Sequence, residues 1–171
     1  MIIRPEEWIS PPDKPDENGC CFLKAWVGSG NTEFPILIET YKVSLEDVTL
    51  HRDQDFELIL ECTKKPDVYQ DEEAFLTSNE HSHMAPESVI PIGLFSFPYD
   101  PRIILNGTVV KTYKSPAEFG FGEDDVLFSV SCLGNEYDAV LPAELAEGIK
   151  IKEGNIVSCV YWVQGWPWED E

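Results

Sequence analysis

Two histidines one residue apart have the clearest metal-binding spacing in this chain of 171 residues. His81 and His83 flank a serine, and in a strand this spacing places both imidazoles on the same side. Zinc takes three or four protein ligands, so other side chains would have to complete the site. The candidates for these further ligands are Glu80, Glu87 and His51. A metal-dependent enzyme is therefore one hypothesis, and a solvated polar loop is the alternative.

Nucleophilic side chains lack the sequence context of a known catalytic site. The five cysteines are odd in number and include no Cys-x-x-Cys pair, and Cys20 lies next to Cys21. The chain has neither a Gly-x-Ser-x-Gly motif nor a phosphate-binding loop. Cys62, Cys132 and Cys159 each lie in an apolar alternating run, which is typical of small buried side chains. We expect all five to be free thiols, and we expect no cofactor.

The segment from residue 161 to residue 168 is rich in aromatic side chains. Trp162, Trp166 and Trp168 together could form a stacking platform for sugar rings or the hot spot of a protein interface. The structural alternative is that Trp162 closes one end of a barrel while the other two cover an open sheet edge. Both interpretations stay open at the level of sequence.

The net charge of −20 narrows the choice of partner. Both halves of the chain are acidic, and Lys64 and Lys65 form the only adjacent pair of cations. Nucleic acids and anionic membranes are disfavoured because they would be repelled, whereas a basic protein surface would be attracted. We expect the contact at the acidic loop formed by Glu123, Asp124 and Asp125. The first residues have no pattern of a secretory signal, which predicts a cytoplasmic protein.

The elements that position these residues are predicted to be mostly β-strands, because short apolar runs alternate with turn residues. Four segments follow from composition. We expect an extended proline-rich arm over residues 1–19, a β-rich N-terminal part over 20–91, a packed connector over 92–101 and a second β-rich part over 102–171. Acidic residues followed by apolar ones predict a short helix over 71–77.

The C-terminal part has the most regular pattern. It predicts a long strand over 103–113 with an interruption at Asn106-Gly107, then a hairpin that turns at Gly134-Asn135. A short helix follows Pro142, and two last strands are predicted over 149–152 and 156–163.

This order of strand, hairpin, short helix and two strands resembles the OB-fold, a five-stranded Greek-key barrel. Residues 107–109, 140–145 and 151–157 also resemble turn and core motifs of the RNA-binding OB repeats of ribosomal proteins. The resemblance implies a barrel over about residues 102–166, packed against the N-terminal part. Its inward side chains would be Val126, Phe128, Val130 and Val157.

The sequence differs from that family at the positions where the ligand would bind. Those domains carry aromatic and basic residues on the second and third strands, and this chain has Glu136, Tyr137 and Asp138 there. Our leading hypothesis is therefore a non-enzymatic acidic protein, similar to inhibitors or immunity proteins, that binds a partner with a basic surface. A binder of small ligands or oligosaccharides that uses the Trp cluster is the alternative, beside the metal-dependent enzyme.

Overall fold

The computed structural model describes residues 1–17, 19–40, 45–78, 84–94, 100–113 and 121–168. Ten strands and two short α-helices are found in these ranges, which confirms the mostly β prediction. Their bounds are β1 Ile2–Ser10, β2 Cys21–Val27, β3 Phe34–Thr40, β4 Gln54–Cys62, β5 Asp67–Tyr69, α1 Glu72–Thr77, β6 Ser88–Pro91, β7 Arg102–Thr112, β8 Val126–Cys132, β9 Asn135–Leu141, α2 Ala143–Ala146 and β10 Ile156–Pro167. None of the helices in the described ranges has the length and apolar character to cross a membrane.

The strands belong to one mixed sheet. Its order is β5-β10-β3-β2-β1-β4-β9-β8-β7-β6, and β10 also pairs with β4 and with β7. The pairs β1–β2, β2–β3, β7–β8 and β8–β9 are antiparallel, while β3 and β10 run parallel where Glu39 is opposite Gln164. Strands from the two ends of the sequence are therefore neighbours, and the sheet depends on non-local pairing.

The chain forms two compact units that do not follow the predicted segment boundaries. The first unit contains Met1–Ile59, Pro91–Ile103 and Val163–Glu171, and the second contains Leu60–Ile90 and Ile104–Trp162. The difference arises because the residues of the long strands β4 and β10 are divided between the units. A boundary drawn from composition does not detect such a division.

The first unit is built on the antiparallel strands β1, β2 and β3. Residues 2–10 therefore form a paired strand where the sequence predicted an extended arm. Pro5 is tolerated because a register shift follows it, between Pro5 and Glu7. Residues are buried on both sides of β3, where every residue from Ile36 to Thr40 is buried, and β2 buries the neighbours Phe22 and Leu23. The buried apolar residues of β1, β2 and β3 are Ile3, Phe22, Leu23, Ala25, Val27, Ile36, Leu37 and Ile38.

The second unit contains the predicted hairpin of β8 and β9. The turn is formed by Leu133 and Gly134, whose φ angles are 52° and 79°. The predicted turn at Gly134-Asn135 was one residue too late, because Asn135 already pairs with Cys132. A two-residue hairpin turn of type I′ requires a positive φ angle at both of its residues. The backbone N–H of Leu133 donates to Glu87 Oε2 at 2.9 Å and so helps to hold this turn.

The predicted inward side chains of the hairpin and of β10 are mostly buried. Phe128, Val130 and Val157 are fully buried, while Val126, at the start of β8, is only half-buried. The strand β7 is continuous through Asn106-Gly107, and its irregularity lies later, between Val109 and Lys111.

The predicted strand over residues 149–152 is wrong. Lys152 and Asn155 form a turn, because Asn155 Oδ1 accepts from the Lys152 N–H at 2.9 Å and the Asn155 N–H donates to the Lys152 carbonyl at 3.1 Å. The neighbour of β9 in the sheet is β4, from the N-terminal half of the sequence. The C-terminal part thus lacks the fourth strand that its OB-like pattern implied.

Both predicted helices form. Asp71 caps α1 by accepting the N–H of Ala74 at 2.8 Å, and Phe75 is buried with its ring edge-on to Tyr69 at 5.2 Å between centroids. In the predicted connector, residues 92–94 form a 3-10 turn in which Gly93 lies against the carbonyl of Asp100. The rest of that connector, residues 95–99, lies outside the described residues.

Candidate functional site

The histidine pair lies outside the described residues. His81 and His83 fall in the range 79–83, so their predicted role as metal ligands stays a prediction. Within the described ranges, no three side chains of His, Cys, Asp or Glu are grouped in a way that would hold a metal ion.

The predicted acidic loop has one residue with a structural role. Both carboxylate oxygens of Asp125 accept backbone N–H groups, from Gly122 and from Ala143, each at 2.9 Å. Asp125 therefore fastens this loop to the first residue of α2. Glu123 and Asp124 are exposed in the turn and remain directed to solvent.

All five cysteines carry free thiols in the structure, as expected, and the pKa of the buried Cys159 is lowered chiefly by its hydrogen bond with Cys62. Cys62 and Cys159 are buried, and a hydrogen bond between their thiols together with burial raises the pKa of Cys62. Cys20 is half-buried, and its hydrogen bond with Glu39 and its burial raise its pKa to about 11. A raised pKa lowers the fraction of reactive thiolate at neutral pH.

The tryptophans of β10 follow the alternation of a strand. Tyr161 and Val163 are fully buried, whereas Trp162 and Trp166 are half-buried on the opposite side of the strand. Tyr161 is therefore the side chain that fills the interior. Trp162, for which one alternative predicted that it closes an end of a barrel, is only half-buried.

Trp166 is held in place by a carboxylate on the neighbouring strand. Its indole N–H donates to Glu57 Oε2 at 3.1 Å. Gly165 permits the close approach that this bond needs, because a Cβ atom there would lie 2.8 Å from the Glu57 carbonyl oxygen and 2.5 Å from Leu58 Cδ2. The Trp166 ring is thus a fixed surface of the first unit.

Trp168 follows β10 and lies in a row with two residues from other strands. Its N–H donates to the carbonyl of Asp55 at 2.9 Å, and Asp55 is in turn the partner of Ile2 in the pairing of β4 with β1. The side chains of Trp168 and Ile2 are 61% and 59% exposed. Two exposed apolar groups therefore flank one exposed carboxylate. We name this surface the aromatic acidic face; it consists of Ile2, Asp55, Glu57, Trp166 and Trp168.

The carboxylates of the aromatic acidic face form no ion pair with a described lysine or arginine. Among the described residues, neither Asp55 nor Glu57 forms an ion pair with a lysine or arginine. Elsewhere in the first unit, Lys24 pairs with Glu6 at 3.0 Å, and this hydrogen bond lowers the pKa of Glu6. The α-ammonium group of Met1 is bonded to the Phe56 carbonyl at 2.6 Å. The carboxylates of the face are therefore not paired with a lysine or arginine of the described residues, and the nearby cation is the α-ammonium group bound to Phe56.

A second polar cluster lies on β7, β8 and β9 of the second unit. Asp138 Oδ1 accepts from the Tyr113 phenol at 2.7 Å and from the Ser129 hydroxyl at 2.9 Å, and Lys111 Nζ lies 4.8 Å from the centre of the Tyr113 ring. Burial raises the pKa of Tyr113, and its bond to Asp138 adds to the rise. A phenol with a raised pKa is a poor general base, and the cluster's polar groups bond to one another.

Comparison of the chain with protein-family models, with curated proteins and with solved structures found no match. The assignment of a site therefore depends on the geometry alone.

Sequence reasoning found Trp166 and Trp168 but missed Ile2, Asp55 and Glu57. The acids at positions 53, 55 and 57 alternate, which predicts a common side of a strand. The sequence contains no signal for the pairing that brings this side of β4 next to Ile2 and Trp168.

Proposed function

We propose that this chain is a non-enzymatic binding protein, similar in its mode of action to inhibitors and immunity proteins, and that it recognises a partner through the partner's basic surface. The observation that carries the proposal is the row in which Ile2 and Trp168, the two most exposed large apolar side chains among the described residues, flank the unpaired carboxylate of Asp55. Exposed aromatic side chains on a fixed backbone are typical of interface hot spots.

The overall charge supports the same proposal. A net charge of −20 attracts a basic partner from a distance and repels nucleic acids and anionic membranes. At the face itself, the carboxylates of Asp55 and Glu57 would be buried by a partner, and burying an unpaired charge is costly. A partner that supplies cations opposite them avoids this cost, whereas a neutral partner does not.

The alternative of an oligosaccharide binder would use the same Trp168 ring. A sugar would stack on the ring and bond to the carboxylates without a charge of its own, so its binding would depend weakly on salt. Salt dependence therefore separates the two functions. The metal-dependent enzyme stays a prediction tied to His81 and His83.

The barrel architecture is part of our proposal. The strand pairings that support it in the second unit are β7–β8, β8–β9, β9–β4, β4–β10 and β10–β7, a circuit in which β4 replaces the missing strand at 149–152. A similar circuit uses β1–β2, β2–β3, β3–β10, β10–β4 and β4–β1. A closed circuit removes open sheet edges, so recognition would take place on a sheet face.

The test is affinity capture from a lysate of the source cell at low and at high salt. The wild-type chain is compared with the double variant Asp55→Asn/Trp168→Ala and with a matched control, Glu123→Gln/Asp124→Asn, which removes two exposed acids elsewhere. We expect capture of a protein with a basic surface that is lost at high salt and with the first variant and is retained with the control.

Two results would overturn the proposal. One is a partner whose capture and association rate are unaffected by the Asp55→Asn/Trp168→Ala change. If capture were lost with the control variant instead, the contact would be assigned to the acidic loop of Glu123, Asp124 and Asp125. The other is submicromolar binding of single- or double-stranded oligonucleotides at physiological salt, because the charge argument predicts no measurable binding.

A further inference from the structure

We infer that the aromatic acidic face receives an arginine side chain of its partner, with the guanidinium group stacked on Trp168 and paired with Asp55. This inference rests on the proposed function and specifies the chemistry of its contact. It follows from which groups of the face remain free to bond.

The free groups are in one row across three neighbouring strands. Ile2 on β1 is opposite Asp55 on β4, and the Asp55 carbonyl accepts the N–H of Trp168 after β10. Neighbouring strands are ~4.8 Å apart, so the backbones of the two apolar residues are separated by ~10 Å with the carboxylate between them. This width accommodates one planar cation and the hydrocarbon stem that carries it.

Trp168, rather than Trp166, is the ring on which the cation would stack. The Trp166 indole N–H already donates to Glu57, and the ring is half-buried. Among the described residues the Trp168 side chain makes no hydrogen bond, and 61% of it is exposed. Trp166 and Glu57 therefore brace the face, and Trp168 presents an unoccupied aromatic surface next to Asp55.

Arginine matches this set of groups better than lysine does. A guanidinium group is planar and weakly hydrated, so it can stack on an indole ring and donate two parallel hydrogen bonds to one carboxylate. Its methylene stem can cover an apolar side chain such as Ile2. A lysine ammonium group is strongly hydrated and pairs with Asp55 only as a point charge.

The experiment uses three peptides that differ only in one repeated side chain. The probes are acetyl-Gly-X-Gly-X-Gly-X-amide with X as arginine, lysine or citrulline, and citrulline keeps the planar shape without the charge. Binding is followed by NMR on protein with ¹⁵N-labelled tryptophan, in which the Trp168 indole resonance is assigned by its loss in Trp168→Phe.

We expect the arginine peptide to bind about fivefold more tightly than the lysine peptide, because a desolvated stacking contact is added to the ion pair, and the citrulline peptide not to bind. Trp168→Leu should remove the preference for arginine but leave weak binding of both cationic peptides. Asp55→Asn should weaken both of them, and the control Asp124→Asn should weaken neither. Unchanged thermal unfolding of each variant shows that the fold is intact.

The outcomes separate the inference from the proposed function. Equal affinity for arginine and lysine with retained dependence on Asp55 would overturn the inference about arginine and leave the basic partner in place. Binding of the citrulline peptide as tight as that of the arginine peptide would overturn both. Binding of no peptide up to millimolar concentration would overturn the inference, and the lysate capture would then decide the proposed function independently.

Discussion

Two exposed carboxylates, one in each compact unit, have opposite surroundings. In the second unit, Asp138 accepts hydrogen bonds from Tyr113 and from the buried Ser129. In the first unit, Asp55 has no such side-chain partner among the residues that the structure describes, and it lies between two exposed apolar groups, Ile2 and Trp168. A carboxylate whose bonds are made within the fold contributes to stability, whereas one without partners beside an aromatic ring is available to a ligand. This contrast supports our proposal that recognition takes place on the first unit, while the polar cluster of the second has a structural role.

The units are alike in one respect, since each uses a glycine within a strand to bring two strands close. A Cβ atom on Gly107 would lie 2.5 Å from the Ser131 carbonyl oxygen, and one on Gly165 would lie 2.8 Å from that of Glu57. We expect Gly107→Ala to lower the free energy of unfolding by about 3 kcal/mol, because the backbone of Ser131 cannot move aside cheaply.

Gly165→Ala should cost somewhat less, about 2 kcal/mol, because its closest neighbour is the end of the flexible Leu58 side chain at 2.5 Å. Urea denaturation measures both variants, and Val110→Ala, at an exposed position of β7, serves as the control with little expected change. A Gly107→Ala protein that unfolds at the wild-type midpoint would show that the strands are not in this close contact.

The carboxylates themselves provide the second prediction. Asp138→Ala removes the acceptor of two hydroxyl groups, one of them on the buried Ser129, and should lower the free energy of unfolding by about 1–2 kcal/mol. Asp55→Ala should change it by less than about 0.5 kcal/mol, because no side chain depends on it. Chemical denaturation of both variants under the same conditions gives the comparison. Equal losses of stability in Asp138→Ala and Asp55→Ala would show that the two carboxylates do not differ in their contribution to the fold.

Two tyrosines of the second unit should also differ in how much their hydroxyl groups contribute to stability. Tyr113 bonds to Asp138, whereas the hydroxyl of the fully buried Tyr161 has no hydrogen-bond partner within the described ranges. We expect Tyr161→Phe to leave stability unchanged or to raise it by up to about 1 kcal/mol, and Tyr113→Phe to lower it by about 1 kcal/mol. Thermal unfolding compares the two variants. A marked loss with Tyr161→Phe would reveal a partner for that hydroxyl.

The smallest expected effect is on reactivity and concerns the first unit. The pKa of Cys20 is about 11 instead of 9.0, chiefly because its thiol bonds to Glu39. The thiolate fraction at pH 8 should be about a hundredfold lower, and since a more basic thiolate is more reactive, alkylation should be slowed about tenfold.

Mass spectrometry after timed iodoacetamide treatment measures this rate. Glu39→Gln should accelerate the modification of Cys20, and the denatured protein gives the reference rate. Because the pKa is raised in the folded state, the stability linked to this thiol is present below pH 9 and is lost as the pH rises towards 11. Rapid native alkylation at pH 8 would contradict the bond to Glu39.

Local patterns predicted the local elements well. The capping aspartate and Phe75 indicated α1, and alternation predicted the hairpin, because both depend on residues close together in sequence. The segment 149–152 has the same alternation of apolar and charged residues, yet it forms no strand, and its last residue begins a turn closed by the side chain of Asn155.

Non-local pairing explains what the sequence did not predict. Composition identified Trp166 and Trp168, but nothing in the pattern places Asp55 beside Trp168 or Ile2. The same limit applies to β4, whose place next to β9 follows from the whole sheet and not from its own residues.

The division of β10 also determines when the aromatic acidic face can form during synthesis. The first unit joins Met1–Ile59 to Val163–Glu171, so residues 1–59 are synthesised well before the residues that complete their unit. Contacts so distant in sequence form slowly, and the incomplete unit exposes strand surface to chaperones in the meantime. Because the backbone N–H of Trp168 bonds to the Asp55 carbonyl, a nascent chain that does not yet include Trp168 lacks the complete aromatic acidic face.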